Sequence, residues 1–248
     1  MNNKLLLVFQ ILFSTLILKS QSFAYSDTLM YYGSQLYLAK DLILAKEKLD
    51  SCIMLNLRND ECKYYRAKIE YDMKSYHKAS IMFKNVLALQ ENDASSWHML
   101  GLCYTSLKHY DSAEFCFKNA VRLNSRRSDF YANWGNSQFL RGNYEHADQL
   151  YGTAILLDEK HVQYYVNRAE IRAKLGNRED AQDDLIQALS IEPGNAMAKK
   201  HLAEQTGWDT KWLFILGLGF LLFFSLIFGC EKDRIDQNSY KSFLKSFL

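Results

Sequence analysis

Proline is almost absent from this sequence, and its absence narrows the range of folds. Pro193 is the single proline among 248 residues, and only 11 glycines are present. Because both residues interrupt helices, a chain with so few of them favours helical structure over most of its length. We therefore predict an all-α fold.

The sequence also lacks an excess of charge of one sign. Lysine and arginine together number 30, and aspartate and glutamate 28, which gives a formal net charge of +2. Proteins that bind nucleic acid usually carry a clustered basic face. We therefore expect no nucleic-acid partner.

Motifs typical of metal, nucleotide and catalytic sites are missing as well. The 6 histidines and 5 cysteines form neither an HExxH pattern nor pairs at metal-ligand spacing, and no GxxxxGK loop occurs. We predict no cofactor, no metal ligand and no catalytic residue, and we classify the protein as a non-enzyme. The alternative, a catalytic site that only the folded chain assembles, leaves no mark in a sequence.

The first of two apolar segments lies at the N-terminus. Lys4 precedes an apolar run over residues 5–18, and Ser22 and Ala24 are the small residues that signal peptidase requires. With about 14 residues, the run is shorter than the roughly 20 that a membrane span needs. The pattern predicts a signal peptide over residues 1–24 that is cleaved after Ala24. An uncleaved membrane anchor is the alternative.

The second apolar segment, residues 212–230, contains no charged residue. A helix of this length spans roughly 28 Å, which is close to the roughly 30 Å of hydrocarbon in a bilayer. The segment predicts one transmembrane helix, followed by a short inner tail over residues 231–248. A buried soluble helix is the alternative. After a signal peptide, this helix would leave the part of the chain between the two segments outside the cytoplasm.

A period of 34 residues runs through the region between the two apolar segments. Small residues recur at Gly33, Ala67, Gly101, Gly135 and Ala169, and alanine recurs at Ala45, Ala79, Ala113, Ala147 and Ala181. The period divides residues 26–195 into five units, 26–59, 60–93, 94–127, 128–161 and 162–195. Small residues on one face let two helices approach closely, so we interpret each unit as a pair of helices.

In each unit the second helix is predicted to begin directly after a turn. The predicted first residues are Leu42, Tyr76, Tyr110, Tyr144 and Arg178. A helix pair cannot bury its apolar faces alone, so neighbouring units are expected to stack into one continuous solenoid. After the fifth unit, Asn195 can cap a closing helix over residues 196–206.

The repeat pattern resembles the tetratricopeptide repeat. The third unit shows this pattern most fully, in Trp97, Leu100, Gly101, Tyr104, Ala113, Phe117 and Ala120. It departs from the pattern at Ser125, where the family often has proline, whereas the fifth unit supplies that proline as Pro193. The resemblance implies an all-α solenoid of about five repeats, plus the closing helix, that binds protein partners.

In the family, the first helices of the units line a concave groove that binds peptides or extended segments of partners. The resemblance places in that groove Tyr37, Tyr64, Lys68, Tyr71, His98, Asn136, Phe139, Glu170 and Lys174. Simple surface exposure is the alternative for each of them. Tyr64, His98 and Ala132 stand where members that bind a C-terminal carboxylate would have lysine, so we do not expect binding of that type.

Four cysteines lie in the predicted outer part of the chain, Cys52, Cys62, Cys103 and Cys116. In an oxidising compartment, Cys52 could pair with Cys62, and Cys103 with Cys116. The alternative is that they are small, buried apolar residues, as free cysteines often are.

These features together predict a scaffold protein with a single membrane span. Its repeats would lie on the periplasmic side of a bacterial inner membrane, with the C-terminus inside. About four residues, 207–210, separate the closing helix from the predicted span, so the partners should be membrane-proximal proteins. The predicted role is the assembly of an envelope complex. Two alternatives remain, a tail-anchored protein that faces the cytosol in organelle membrane remodelling, and a binder of cell-wall polymer.

Overall fold

The computed structural model of the chain describes residue 21, residues 24–55 and residues 59–206. Within these residues the chain forms eleven helices and no β-strand. The helices are α1 (residues 24–38), α2 (Leu42–Leu55), α3 (Asp60–Asp72), α4 (Tyr76–Leu87), α5 (Ala94–Ser106), α6 (Tyr110–Leu123), α7 (Ser128–Arg141), α8 (Tyr144–Leu157), α9 (Val162–Lys174), α10 (Arg178–Ile191) and α11 (Ala196–Thr206). From α2 onward, each helix packs against the next.

The all-helical solenoid predicted from the 34-residue period is confirmed for the described residues. The second helices α2, α4, α6, α8 and α10 begin at the five residues that the period predicts. The predicted signal peptide lies almost entirely outside the described residues, and the predicted transmembrane helix and inner tail lie wholly outside them. Among the helices that can be described, none combines the length and the apolar character needed to cross a membrane.

Each turn inside a helix pair places one residue in the left-handed region of the backbone. The φ angle is 90° at Gly142 and 85° at Gly176, and it is 66° at Lys40, 61° at Lys74 and 61° at Lys108. These five residues occupy the same position of successive units. Glycine adopts this conformation without strain, whereas a side chain makes it costly. The first three units therefore carry strain that the last two avoid.

The column of small residues marks where two helices of one unit come closest. A Cβ atom added to Gly101 would lie 2.8 Å from the Phe117 ring, and one added to Gly135 would lie 2.9 Å from the Tyr151 ring. Phe117 is fully buried. These positions pack the helix pairs, so the most distinctive residues of the third unit are structural.

Side chains cap the first helices at three unit boundaries. Asp93 accepts hydrogen bonds from the backbone N–H groups of Ser95 and Ser96, at 3.0 and 3.2 Å. Asn59 caps α3 in the same way, and the predicted cap Asn195 accepts from the Ala198 N–H at 2.9 Å. These caps satisfy backbone donors that would otherwise lack partners, and so they help to fix where α3, α5 and α11 begin.

The four cysteines that the structure describes fall into two groups. A disulfide joins Cys52 in α2 to Cys62 in α3, across the boundary between the first and second units. Cys103 and Cys116 are free and buried. Burial raises the pKa of both thiols to about 12, which keeps them protonated and unreactive at neutral pH.

Candidate functional site

All nine residues predicted to form the groove lie on first helices, α1, α3, α5, α7 and α9. We call the surface that these helices line the first-helix face. Successive first helices are joined by polar contacts between side chains. Thr105 of α5 donates to Ser137 of α7 at 2.9 Å, and Tyr37 of α1 donates to Asp72 of α3 at 2.7 Å. The face is therefore one continuous surface across the units.

The N-terminal part of this face holds a lysine between tyrosine rings. The ammonium nitrogen of Lys68 lies 4.9 Å from the ring centre of Tyr37 and 5.6 Å from those of Tyr64 and Tyr65. At these distances the ring faces attract the cation. Among the described residues, no carboxylate lies within ion-pair distance of this ammonium group. Burial lowers the pKa of Lys68, which the charge of Asp72 partly offsets.

The tyrosine cluster is itself well packed. Tyr37 is only 7% exposed, and burial together with its bond to Asp72 raises its pKa. Tyr64 is half-buried and meets the Phe83 ring edge-on at 5.8 Å. Tyr65 was missed at the level of sequence, although the Tyr64–Tyr65 pair was a visible indication of an aromatic cluster. Tyr37 and Tyr64 thus mainly position Lys68, and they expose little surface to a partner.

His98, in the middle of the face, is buried between neighbours. It is 7% exposed, stacks on the Phe130 ring with 4.5 Å between centres, and lies 3.0 Å from the amide nitrogen of Asn133. Burial, with a smaller effect of the positive charges of Arg127 and Lys68 and against the opposing effect of Asp129, lowers its pKa to about 4. A neutral imidazole therefore joins α5 to α7, and little of it is left to contact a partner.

The remaining predicted residues offer more surface. Asn136 and Lys174 are exposed, and Tyr71, Phe139 and Glu170 are half-buried. Tyr71 packs against Tyr76 with ring centres 5.3 Å apart, and Phe139 packs against Tyr144 at 5.6 Å. Each half-buried ring is thus held by a second helix while part of it stays accessible. Whether the nine residues bind a partner stays a prediction.

Buried ionic networks are a feature that the sequence analysis did not predict. Glu70 is 3% exposed and accepts from Arg66 at 2.6 Å and from Lys78 at 2.9 Å. Asp184 is 4% exposed and accepts from Arg168 at 2.6 Å and from Arg172 at 3.0 Å. The described residues contain no cluster of histidine, cysteine, aspartate or glutamate that could hold a metal ion. We therefore interpret these buried charges as structural ion pairs.

Comparison with known proteins agrees with this architecture. The model of the family described as Tetratricopeptide repeat matches residues 94–127 and 162–195, which are the third and fifth units with the boundaries predicted above. Curated protein sequences give no match. The third and fifth units therefore match the tetratricopeptide repeat, and the remaining described units share their helix-pair architecture.

Solved structures share the fold at low sequence identity. YrrB, a TPR protein with an unusual peptide-binding site, is 21% identical with a TM-score of 0.57, over 69% of this chain and 89% of that one. PilF of Pseudomonas aeruginosa is 14% identical with a TM-score of 0.66, over 92% and 99% of the two chains. TTC0263, a TPR protein of Thermus thermophilus, is 18% identical with a TM-score of 0.60, over 73% and 98%.

Proposed function

We propose that the chain is a membrane-anchored scaffold whose repeat array lies outside the cytoplasm and assembles an envelope complex. Partner proteins bind along the first-helix face, close to the membrane. The apolar segments at residues 5–18 and 212–230 support the anchoring and the topology. The disulfide between Cys52 and Cys62 also supports this topology, because disulfides persist in oxidising compartments and are rare in the cytosol.

The observation that carries the binding role is the lysine between three tyrosines on the first-helix face. Lys68 is fixed by cation–π contacts, yet its N–H donors have no carboxylate partner within ion-pair distance among the described residues. A fixed donor beside aromatic rings suits the backbone carbonyls and apolar side chains of an extended segment. YrrB, which has the same fold, has a peptide-binding site, and this adds support.

Crosslinking in the membrane, followed by identification of the attached protein, tests the binding role. The groove variant combines Tyr64→Ala, Tyr71→Ala and Phe139→Ala. The matched control also removes three large side chains, but ones that are exposed outside the first helices. It combines Leu89→Ala, Leu156→Ala and Ile186→Ala, whose side chains are 56%, 78% and 56% exposed. We expect the groove variant to lose the crosslinked partner and the control to keep it. Equal recovery from both variants would refute the groove assignment.

Stability must be matched in that comparison, because Tyr64 packs on Phe83. Each variant is therefore compared with the wild type by thermal unfolding, and partner recovery is measured well below the lower midpoint. A second variant, Lys68→Gln, keeps a donor and removes the charge. We expect it to weaken crosslinking less than the triple variant, since carbonyl groups accept from either side chain.

Two measurements test the topology. Protease added to intact spheroplasts should digest the repeat array, and protection of the array until lysis would refute an extracytoplasmic location. Thiols are also alkylated in acid-quenched cells. In an oxidising compartment, Cys52 and Cys62 react only after reduction. Reaction of both cysteines without reductant would count against the same location.

A further inference from the structure

On the side of the array formed by the second helices, a region lies between each two neighbouring units. Two successive second helices form the walls of this region and the first helix between them forms its floor. We call these four regions the inter-unit cavities, whether side chains fill them or leave them open, and number them along the chain. In the first cavity, over α3, the side chains of Arg66, Glu70 and Lys78 form the ion network already described, and Asp50 accepts from Arg66 at 2.7 Å. The chain thus fills this cavity with its own cations.

The third and fourth cavities are filled in a similar way. In the fourth, over α9, Arg172 joins Asp148 at 2.9 Å to Asp184 at 3.0 Å. In the third, over α7, Arg141 pairs with Glu114 at 3.2 Å, and Trp134 meets the His146 ring edge-on at 5.3 Å. In both cavities an arginine lies between the units and contacts acids on the second helices.

The second cavity, over α5, is open. It has a volume of about 670 Å³ and lies between α4 and α6. Its floor is formed by Leu100 and Tyr104, at the positions that hold Arg66 and Glu70 in the preceding unit. The α6 wall carries the small, exposed Ser112 at the position that holds Lys78 in the preceding unit. The open space follows from these replacements.

The lining of the second cavity suits a cation with an apolar stem. Trp97 meets Phe115 edge-on at 5.8 Å, and the Phe115 ring is 61% exposed. The ammonium group of Lys84 lies 5.5 Å from the Tyr104 ring centre, so one cation–π contact already exists at one end of the cavity. Glu91, at the other end, has an exposed carboxylate with no ion-pair partner among the described residues. An exposed phenyl ring, a half-buried indole ring and an acid without an ion-pair partner among the described residues thus line the same cavity.

We propose that this cavity binds an arginine side chain of a partner polypeptide. The stem packs on Leu87 and Leu100, the guanidinium lies against Trp97, and its charge complements Glu91. Arginine suits this arrangement because its weakly hydrated planar group stacks on aromatic rings and binds carboxylates. In each of the other three cavities, an arginine of the chain itself already pairs with an acid. A volume of about 670 Å³ also admits residues that flank the arginine, and lies within the roughly 300–1,000 Å³ common for ligand pockets.

This site is separate from the first-helix face, and it does not depend on the function proposed above. The cavity lies between second helices, whereas the nine groove residues lie on first helices. A partner held at both places would gain in affinity by avidity. Because the two sites share no residue, a variant of the cavity and a variant of the first-helix face test the two proposals separately.

Peptide titration of the purified full-length chain in mild detergent tests the proposal. The probe is a ten-residue synthetic peptide of leucine and arginine, and the matched control peptide has citrulline, which keeps the shape but lacks the charge. The readout is the indole N–H resonance of Trp97, assigned with a Trp97→Phe variant, together with calorimetry. We expect the arginine peptide to shift this resonance and to bind about tenfold more tightly than the citrulline peptide, which corresponds to about 1.4 kcal/mol.

Two variants and one matched control locate the site. Ser112→Phe fills the cavity from an exposed position and should weaken arginine-peptide binding about tenfold or more. Glu91→Gln removes the charge and should weaken it several-fold. Asp180→Phe places the same ring at the equivalent exposed position of the fifth unit and should change nothing. Unchanged binding to Ser112→Phe, equal binding of the citrulline peptide, or no shift of the Trp97 resonance would each overturn the proposal.

Discussion

Removing the disulfide between Cys52 and Cys62 should destabilise the first two units by an amount that the structure sets. The bond closes a loop with a sequence separation of 10 residues. The chain-entropy relation gives a loss of about 9 cal/mol/K in the unfolded chain, or about 2.7 kcal/mol at 25 °C.

The repeat itself supplies the replacement residues. Cys52 occupies the column that holds Ala120 in the third unit, and Cys62 occupies the column that holds Ser96. The double change Cys52→Ala and Cys62→Ser therefore introduces residues that other units already bury at these places. These replacements should create little cavity volume and few unpaired polar groups. The difference in the free energy of unfolding therefore measures the effect of the disulfide.

Urea unfolding with and without reductant is the assay, combined with hydrogen exchange of individual helices. Repeat arrays unfold unit by unit, so the exchange data show where stability is lost. We expect α2 and α3 to lose protection and α9 and α10 to keep it. Reductant should destabilise the wild type and leave the double variant unchanged. Equal effects of reductant on both proteins, or equal stability of both without it, would refute the reasoning.

Three further predictions concern stability. The pKa of His98 is about 4 in the folded chain, against an ordinary value of 6.5. The stability that neutral His98 contributes is therefore fully present above pH 6.5 and is lost as the pH falls through 4. In urea titrations, the free energy of unfolding should fall by about 3 kcal/mol across this window because of His98, and this loss should be absent from His98→Gln. Gly101→Ala should lower the free energy of unfolding by about 1 kcal/mol, because the added Cβ meets the Phe117 ring at 2.8 Å and this outweighs the helix propensity gained. Lys74→Gly should raise it by about 1 kcal/mol, because φ is 61° there, and Lys63→Gly inside α3 should lower it.

Periodicity predicted the packing because the same packing recurs in every unit. Alanine recurs at the Ala113 position and a large apolar residue at the Phe117 position every 34 residues, and both pack with residues of the same and the next unit. The starts of the second helices were predictable for the same reason, since the turn residue before each of them adopts the same backbone conformation. A sequence pattern is sufficient to predict packing and helix starts where the same packing constraint recurs in all five units.

Contacts between units that occur only once along the array could not be predicted in this way. His98 was placed in the groove because it lies on a first helix, yet Phe130 stacks on it from the next unit and buries it. The partner of such a side chain depends on the distance between units, which the sequence of one unit does not contain. The cage around Lys68 likewise combines Tyr37 of one unit with Tyr65 of the next.

The buried ion networks explain why some units depart from the family pattern. Arg66 and Glu70 replace the leucine and tyrosine of the third unit, and Arg66 reaches Asp50 in the unit before it. Burying such charges costs desolvation energy, and leaving one without its partner costs about 3–5 kcal/mol. Arg66 therefore favours packing against a neighbour that supplies Asp50, which stabilises the contact between the first and second units. The third unit has no buried charge pair at these floor positions, so its cavity is free to receive a charge from outside.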